Sequence, residues 1–165
     1  MSFGIPILDN LYPATMDLWP IQAKEFNMVY PFYENLKQGR FTTTKCKDCG
    51  HVMFPPRGVI CPECYSENLE YIDLPTKGKV LIFTEEVKGV PLGYDSPLIH
   101  AVIDLGVEPC RRMITKIVNC PAGVLKRGDE VQLSVFEVPP TPIEKGRAGT
   151  IMAERVFFAF EPVKK

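Results

Sequence analysis

Hydrophobic and polar positions alternate most plainly in the second half of the chain. Ile99, Ala101, Ile103 and Leu105 fall on one side of a pleat with His100 and Asp104 on the other, and Val131, Leu133 and Val135 do the same against Glu130, Gln132 and Ser134. A period of two marks a strand with one buried and one wetter face. Five runs have the composition of strands: GKVLIFTEEVKG, SPLIHAVIDLG, CRRMITKIVN, DEVQLSVFEV and IMAERVFFAFEP, rich in Val, Ile, Phe and Thr and separated by Gly- and Pro-containing turns. Strands in this number, without long helices between them, predict a small closed or partly closed barrel, because closure removes exposed edges. A five-stranded OB-type barrel is the first expectation and an SH3-like barrel the second.

Upstream the pattern changes. YPFYENLKQGR predicts a short helix, with Pro31 in its first turn, Gly39 at its end, and Phe32 and Leu36 one turn apart on a face that must pack on something. The residues before about 28 mix prolines with scattered apolar side chains and hold no period, which predicts an extended arm. Between helix and barrel lies a cysteine-rich stretch whose FPPRG favours an extended, turn-rich path. The chain thus divides into an N-terminal arm and short helix over 1–40, a cysteine module over 41–75 and a C-terminal barrel over 76–165, a mainly β protein with no internal repeat.

Composition narrows the function classes. A length of 165 residues suits one domain, or a small domain with a smaller module, and not a large multi-domain enzyme. With 45% hydrophobic and 24% charged residues the chain is globular, and its 16 prolines agree with many turns and few long helices. A net charge of −1 supplies no overall field towards DNA or a membrane surface. The first 24 residues have no basic residue before Lys24, and Pro, Asp and Asn break their apolar positions, so no signal peptide is expected. No apolar run approaches the roughly 20 residues that span a bilayer. The expectation is a cytoplasmic protein with no membrane partner, where paired cysteines serve metal or redox chemistry in preference to disulfides.

KCKDCGHVMFPPRGVICPEC carries that chemistry. Cys46, Cys49, Cys61 and Cys64 form C-x2-C-x11-C-x2-C, two tight turns that each aim two sulfurs at one centre. Four thiolates match tetrahedral zinc, with iron an occasional substitute. A filled shell leaves no position for substrate, so the zinc is expected to be structural. A redox Cys-x-x-Cys would instead need one pair at a helix start in a βαβ setting. Gly50 suits the positive φ of the first turn; Tyr65 follows the second pair and tolerates that φ poorly, so a distorted second turn is expected. His51 reads as a loop residue beside a complete ligand set, and Cys110 and Cys120 as small buried hydrophobes.

Two further classes recede on the same residues. Around the cysteines, Lys45, Lys47 and Arg57 are set against Asp48, Glu63 and the two negative charges of a zinc tetrathiolate, a poor start for binding phosphates. Barrels that hold single strands stack bases on aromatic side chains of the second and third strands, yet LIHAVIDL and CRRMITKIV contain none. Nucleic-acid binding is therefore the alternative and not the first reading. Arg111, Arg112 and Lys116 make the one basic spot, sized for a single small anion or simply a solvated strand face. Glycine-rich phosphate loops, nucleophile elbows and dinucleotide fingerprints are missing, and Glu85 and Glu86 point to opposite faces of a strand. No catalytic residue can be named.

The succession FYENLKQGRF, KCKDCGHVMFPPRGVICPEC, LPTKGKVLIFTEE, LIHAVIDLG and LKRGDEVQLSVFE, from Tyr30 to Glu137, resembles a family of zinc-ribbon plus OB-fold proteins associated with acyl-CoA metabolism. Its most specific parts are PPR between the cysteine pairs and the KGKV run that opens the barrel. The resemblance implies a rubredoxin-like ribbon whose zinc ligands are Cys46, Cys49, Cys61 and Cys64, an OB barrel, and no catalytic residue of its own. It also implies an accessory subunit of a hetero-oligomer with a thiolase-fold partner, which supplies the reactive cysteine while this chain helps form or gate the acyl-CoA site. Coenzyme A carries phosphates, so Arg57 or the Arg111, Arg112 and Lys116 spot are the candidate contacts. Tyr65 and the long arm depart from the family pattern and suggest a specialised partner, such as a thiolase of aromatic degradation acting on benzoylsuccinyl-CoA. A lone acyl-CoA-binding module is a third reading.

Overall fold

The structure, a computed structural model, describes residues 27–91, 94–144 and 149–163, with the backbone alone described over 138–144 and 151–155. The expected N-terminal arm lies outside the described residues apart from its last two. Helix α1 runs Tyr30–Lys37 with Pro31 in its first turn, and the Gly39 N–H closes it on the Leu36 carbonyl at 2.8 Å with φ of 73°. Only a residue without a Cβ takes that conformation cheaply. Phe32 and Leu36 are the buried face of α1, as their spacing requires. Arg40 then fixes the end of the helix to the sheet, its Nε and Nη2 donating to the two Asp73 carboxylate oxygens at 3.0 and 2.9 Å.

Strands β1 (Thr42–Cys46), β2 (Val52–Met53) and β3 (Leu69–Asp73) form an antiparallel sheet in the order β2-β1-β3. Strands β4 (Lys77–Glu86), β5 (Leu98–Asp104), β6 (Met113–Ile117), β7 (Glu130–Glu144) and β8 (Thr150–Pro162) close a barrel in the order β4-β5-β6-β8-β7. All its pairs are antiparallel except β6 with β8. This is the Greek-key closure of an OB-type barrel, in agreement with the first expectation. Ile99, Ala101, Ile103 and Leu105 all face inward, as the alternation requires. At the crossing of β4 and β5 a Cβ on Gly78 would stand 2.8 Å from both the Asp104 carbonyl oxygen and Leu105 Cδ2, so the close approach needs glycine.

Two strand boundaries differ from the sequence reading. The third barrel strand begins at Met113, because Cys110–Arg112 form a 3₁₀ turn in which the Cys110 N–H bonds the Val107 carbonyl and its own carbonyl accepts from Leu105. Pro109 immediately before it has no N–H for a strand ladder, which favours the turn. Strand β7, in contrast, continues to Glu144 through Pro139, Pro140 and Pro142. Beyond its short pairing with β4 at Glu130–Gln132, its outer edge has no strand neighbour among the described residues, so prolines there remove no ladder bond.

One apolar cluster runs from Phe32 and Leu36 of α1 through Phe41 and Leu74 into the barrel interior of Val80, Ile99, Ile103, Ile117, Val131 and Phe160. Phe41 is its hub. Its ring meets those of Phe32, Phe54, Phe158 and Phe160 at centroid distances of 6.2, 5.6, 5.0 and 6.0 Å. Cys110 and Cys120 are buried in the same cluster, as small hydrophobes should be. No helix among the described residues is long and apolar enough to cross a membrane.

Candidate metal centre

Strand β1 ends on Cys46, and the chain turns at once through Asp48, Cys49 and Gly50 before β2. The second pair is carried on the matching turn between Cys61 and Ser66. In the first turn the Gly50 N–H bonds the Cys46 carbonyl at 2.9 Å, and in the second the Tyr65 N–H bonds the Cys61 carbonyl at the same distance. The two knuckles are therefore alike. The expected distortion at Tyr65 is absent: Tyr65 takes φ of 59°, beside 77° for Gly50. Its side chain is 75% exposed, so nothing crowds the unfavourable conformation further. Left-handed backbone costs a non-glycine residue about 1–2 kcal/mol, and glycine loses back about 0.5–1 kcal/mol in chain entropy. Tyr65→Gly is accordingly expected to raise the unfolding free energy by about 0.5–1 kcal/mol, measured by chemical denaturation with zinc present.

The four Sγ atoms lie within 4.8 Å of one another, with Cys46 to Cys64 and Cys49 to Cys61 both at 3.6 Å. A tetrahedron of sulfurs about 2.3 Å from zinc has edges of about 3.8 Å, so the cluster is the size and shape the ion needs. Cys46 and Cys61 are buried, Cys49 and Cys64 exposed. Cys46 is lowered to about 7, first by the Cys49 backbone N–H at its sulfur, then by the Asp48 N–H and the neighbouring thiols, against the cost of its desolvation. At Cys64 the Ser66 backbone N–H acts downward, but the thiol of Cys49, desolvation and the other sulfurs outweigh it and raise the group to about 12. Sulfurs this close cannot all be anionic without a cation between them, and a divalent ion supplies it. The donor set fits zinc.

The groups that hold this cluster rigid lie outside its four cysteines. The Asp48 carboxylate accepts from the Ser66 hydroxyl and, at 2.9 Å, from the Asn68 amide, which ties one knuckle to the other. These two bonds, Ser66 first, hold its carboxyl below the usual range. Thr42, Thr43 and Thr44 are buried on β1 with every hydroxyl engaged: with the Asn35 amide, the Met53 carbonyl and the Arg57 N–H respectively. Three consecutive β-branched residues before a Cys-x-x-Cys were the available signal, since buried hydroxyls are kept only where a partner is near.

The candidate coenzyme A contacts are spread over both parts of the structure. Arg57 is exposed on the ribbon loop, its backbone held by Thr44. Arg111 and Arg112 stand in the 3₁₀ turn ahead of β6, and the Arg111 Nε donates to Glu108 Oε1 at 3.0 Å. Lys116 lies on β6 opposite His100, its ammonium 5.2 Å from the centre of the Tyr94 ring. Burial first, then Glu108, pushes the Cys110 thiol up to about 11, and burial likewise raises Cys120, so neither is primed as a nucleophile.

Comparison with known proteins supplies the family. Residues 34–70 match the ChsH2 rubredoxin-like zinc ribbon domain. The chain is 32% identical over 117 residues to a DUF35 domain-containing scaffold protein of Methanothermobacter thermautotrophicus, covering 67% of this chain and 79% of that one. The chain belongs to the DUF35 family. Another relative, the benzoylsuccinyl-CoA thiolase subunit BbsA of Thauera aromatica, is 32% identical over 94 residues, 57% of this DUF35 chain and 62% of BbsA. Among solved structures, the Ltp2-ChsH2(DUF35) aldolase superposes with a TM-score of 0.55 at 20% identity, over 81% of this chain and 92% of that one. That likeness is one of fold. Together these findings agree with the resemblance read from the cysteine spacing and the barrel runs, down to a thiolase subunit among the relatives.

Proposed function

We propose that this DUF35 protein is a non-catalytic accessory subunit of a thiolase-type acyl-CoA enzyme, stabilised by one structural zinc on Cys46, Cys49, Cys61 and Cys64. The observation that carries the reading is the closed sulfur tetrahedron, which has no place for a substrate, in a chain whose scaffold-protein and thiolase-subunit relatives match it over half its length or more. In this reading arm and helix, ribbon and barrel are three working parts. The partner brings the reactive cysteine, and this chain helps form or gate the acyl-CoA site. The substrate class that fits the BbsA relative is a bulky aromatic acyl-CoA of the benzoylsuccinyl-CoA kind. The single-strand reading is less well supported, because the outward residues of β5 and β6 include His100, Val102, Ile114 and Lys116 but no aromatic ring.

The test is co-purification from the native host, with size-exclusion chromatography and mass spectrometry of the eluting chains. A stoichiometric thiolase-fold partner whose activity falls when this chain is removed is the expected result; elution alone or with RNA sinks the proposal. Coenzyme A contact is tested separately in that complex. Removing the charges of Arg57, Arg112 and Lys116 together is expected to raise the Kd for acyl-CoA about tenfold, the scale of one or two charge-assisted phosphate bonds. An unchanged Kd by calorimetry removes these residues from the site.

A further inference from the structure

The β7–β8 hairpin outruns the barrel that carries it. β4 pairs with β7 only at Glu130–Gln132, and β6 pairs with β8 only where Ile117 meets Phe160, whereas β7 and β8 pair with each other out to Glu144 and Thr150. Most of the hairpin is thus a ribbon of two strands. Its two edges are not equivalent. The Val118 N–H donates to the Phe160 carbonyl from the β6 side, so on β8 the residues in step with Phe160, namely Val156, Glu154, Met152 and Thr150, direct their backbone N–H and C=O away from β7. Among the described residues no strand receives them. On β7 the Leu133 N–H reaches out to Thr76, and the register shift between Val138 and Thr141 then sets Pro139 and Pro140 opposite Glu154 and Pro142 opposite Met152, on the outward positions. Prolines block that edge, while the β8 edge keeps its donors.

We infer that the outer edge of β8, from Thr150 to Val156, pairs antiparallel with the same edge of a second copy of this chain. The occupant follows from the asymmetry. A foreign strand laid on β8 would leave its own far edge open, whereas β7-β8-β8-β7 from two copies leaves only proline-blocked edges outside and stops at two. It also gives the ribbon the further strands that an isolated pair needs for stability in water. Outward residues must meet outward residues, and a two-fold axis at Ala153 does this by setting Glu154 against Met152 of the other copy and Val156 against Thr150. An axis at Glu154 would set two acidic residues at directly opposed register positions. The inference does not rest on the acyl-CoA reading.

The test uses the zinc-bound full chain. Sedimentation velocity at tens of micromolar is expected to give a dimer, and Glu154→Pro, which removes an outward N–H and no β7–β8 bond, is expected to weaken it at least tenfold. Should that variant misfold, Ala153→Cys serves independently. Two cysteines facing across a non-hydrogen-bonded antiparallel pair lie within disulfide reach, so it is expected to form an interchain disulfide under mild oxidation where the parent chain forms none. A monomeric parent chain overturns the inference, as does a dimer indifferent to Glu154→Pro. Slow amide exchange at Met152 and Glu154 in a monomer would mean that another segment of the chain covers the edge, and also overturns it.

Discussion

Cys61→Ser is expected to purify with less than a tenth of the zinc of the parent chain and with the ribbon unfolded. Cys61 is fully buried and stands 3.6 Å from Cys49, so a hydroxyl there offers the ion a weak, neutral ligand where it needs a thiolate. Structural zinc sites are worth about 10–16 kcal/mol in apparent binding free energy, and that energy is also folding energy, since the site does not exist in the unfolded chain. The ribbon has little else: its sheet has only short strands, and β2 is two residues long. The readouts are metal content by plasma mass spectrometry and hydrogen exchange at Gly50 and Tyr65, whose N–H groups close the two knuckles. Cys120→Ser, far from the cluster in sequence and buried in the barrel cluster, is the control and keeps its zinc. Stoichiometric zinc with protected knuckle amides in Cys61→Ser would show that the four sulfurs are not the ligand set.

What the sequence made legible was what depends on local spacing. The period of two from Ile99 to Leu105 states which face of β5 is buried, and two Cys-x-x-Cys pairs state a tetrahedron wherever the chain folds back on itself. What it hid depends on neighbours distant in sequence. Prolines 139, 140 and 142 read as the end of a strand, yet β7 runs through them because, among the described residues, no strand lies on that side to need their N–H groups. Tyr65 reads as a distortion, yet the zinc-knuckle hydrogen bond holds it in the left-handed region at a cost the cluster can bear. Arg111 reads as a free cation on a strand, and is instead in a turn, paired with Glu108 three residues earlier.

Phe41 shows the same dependence at its largest. Nothing in GRFTTT sets it apart from the other phenylalanines, but it stands between helix and sheet, and its carbonyl accepts the Leu74 N–H at 2.7 Å. Four aromatic neighbours from α1, the ribbon loop and β8 surround its ring, and its side chain is almost wholly buried. Truncating a buried Phe to Ala costs about 3–5 kcal/mol, and edge-to-face ring pairs put this site at the upper end. For a chain of this size Phe41→Ala is therefore expected to lower Tm by about 8–16 °C. Phe41→Leu, which keeps most of the volume, should cost clearly less, and Ile82→Ala, at a 62% exposed position, should change stability by under about 0.5 kcal/mol. Because the ring joins α1 and the ribbon to the barrel, the unfolding of Phe41→Ala is expected to separate into two transitions, with ribbon amides exchanging before those of β5. A single sharp transition shifted by less than about 3 °C would mean that ribbon and barrel hold together without this contact.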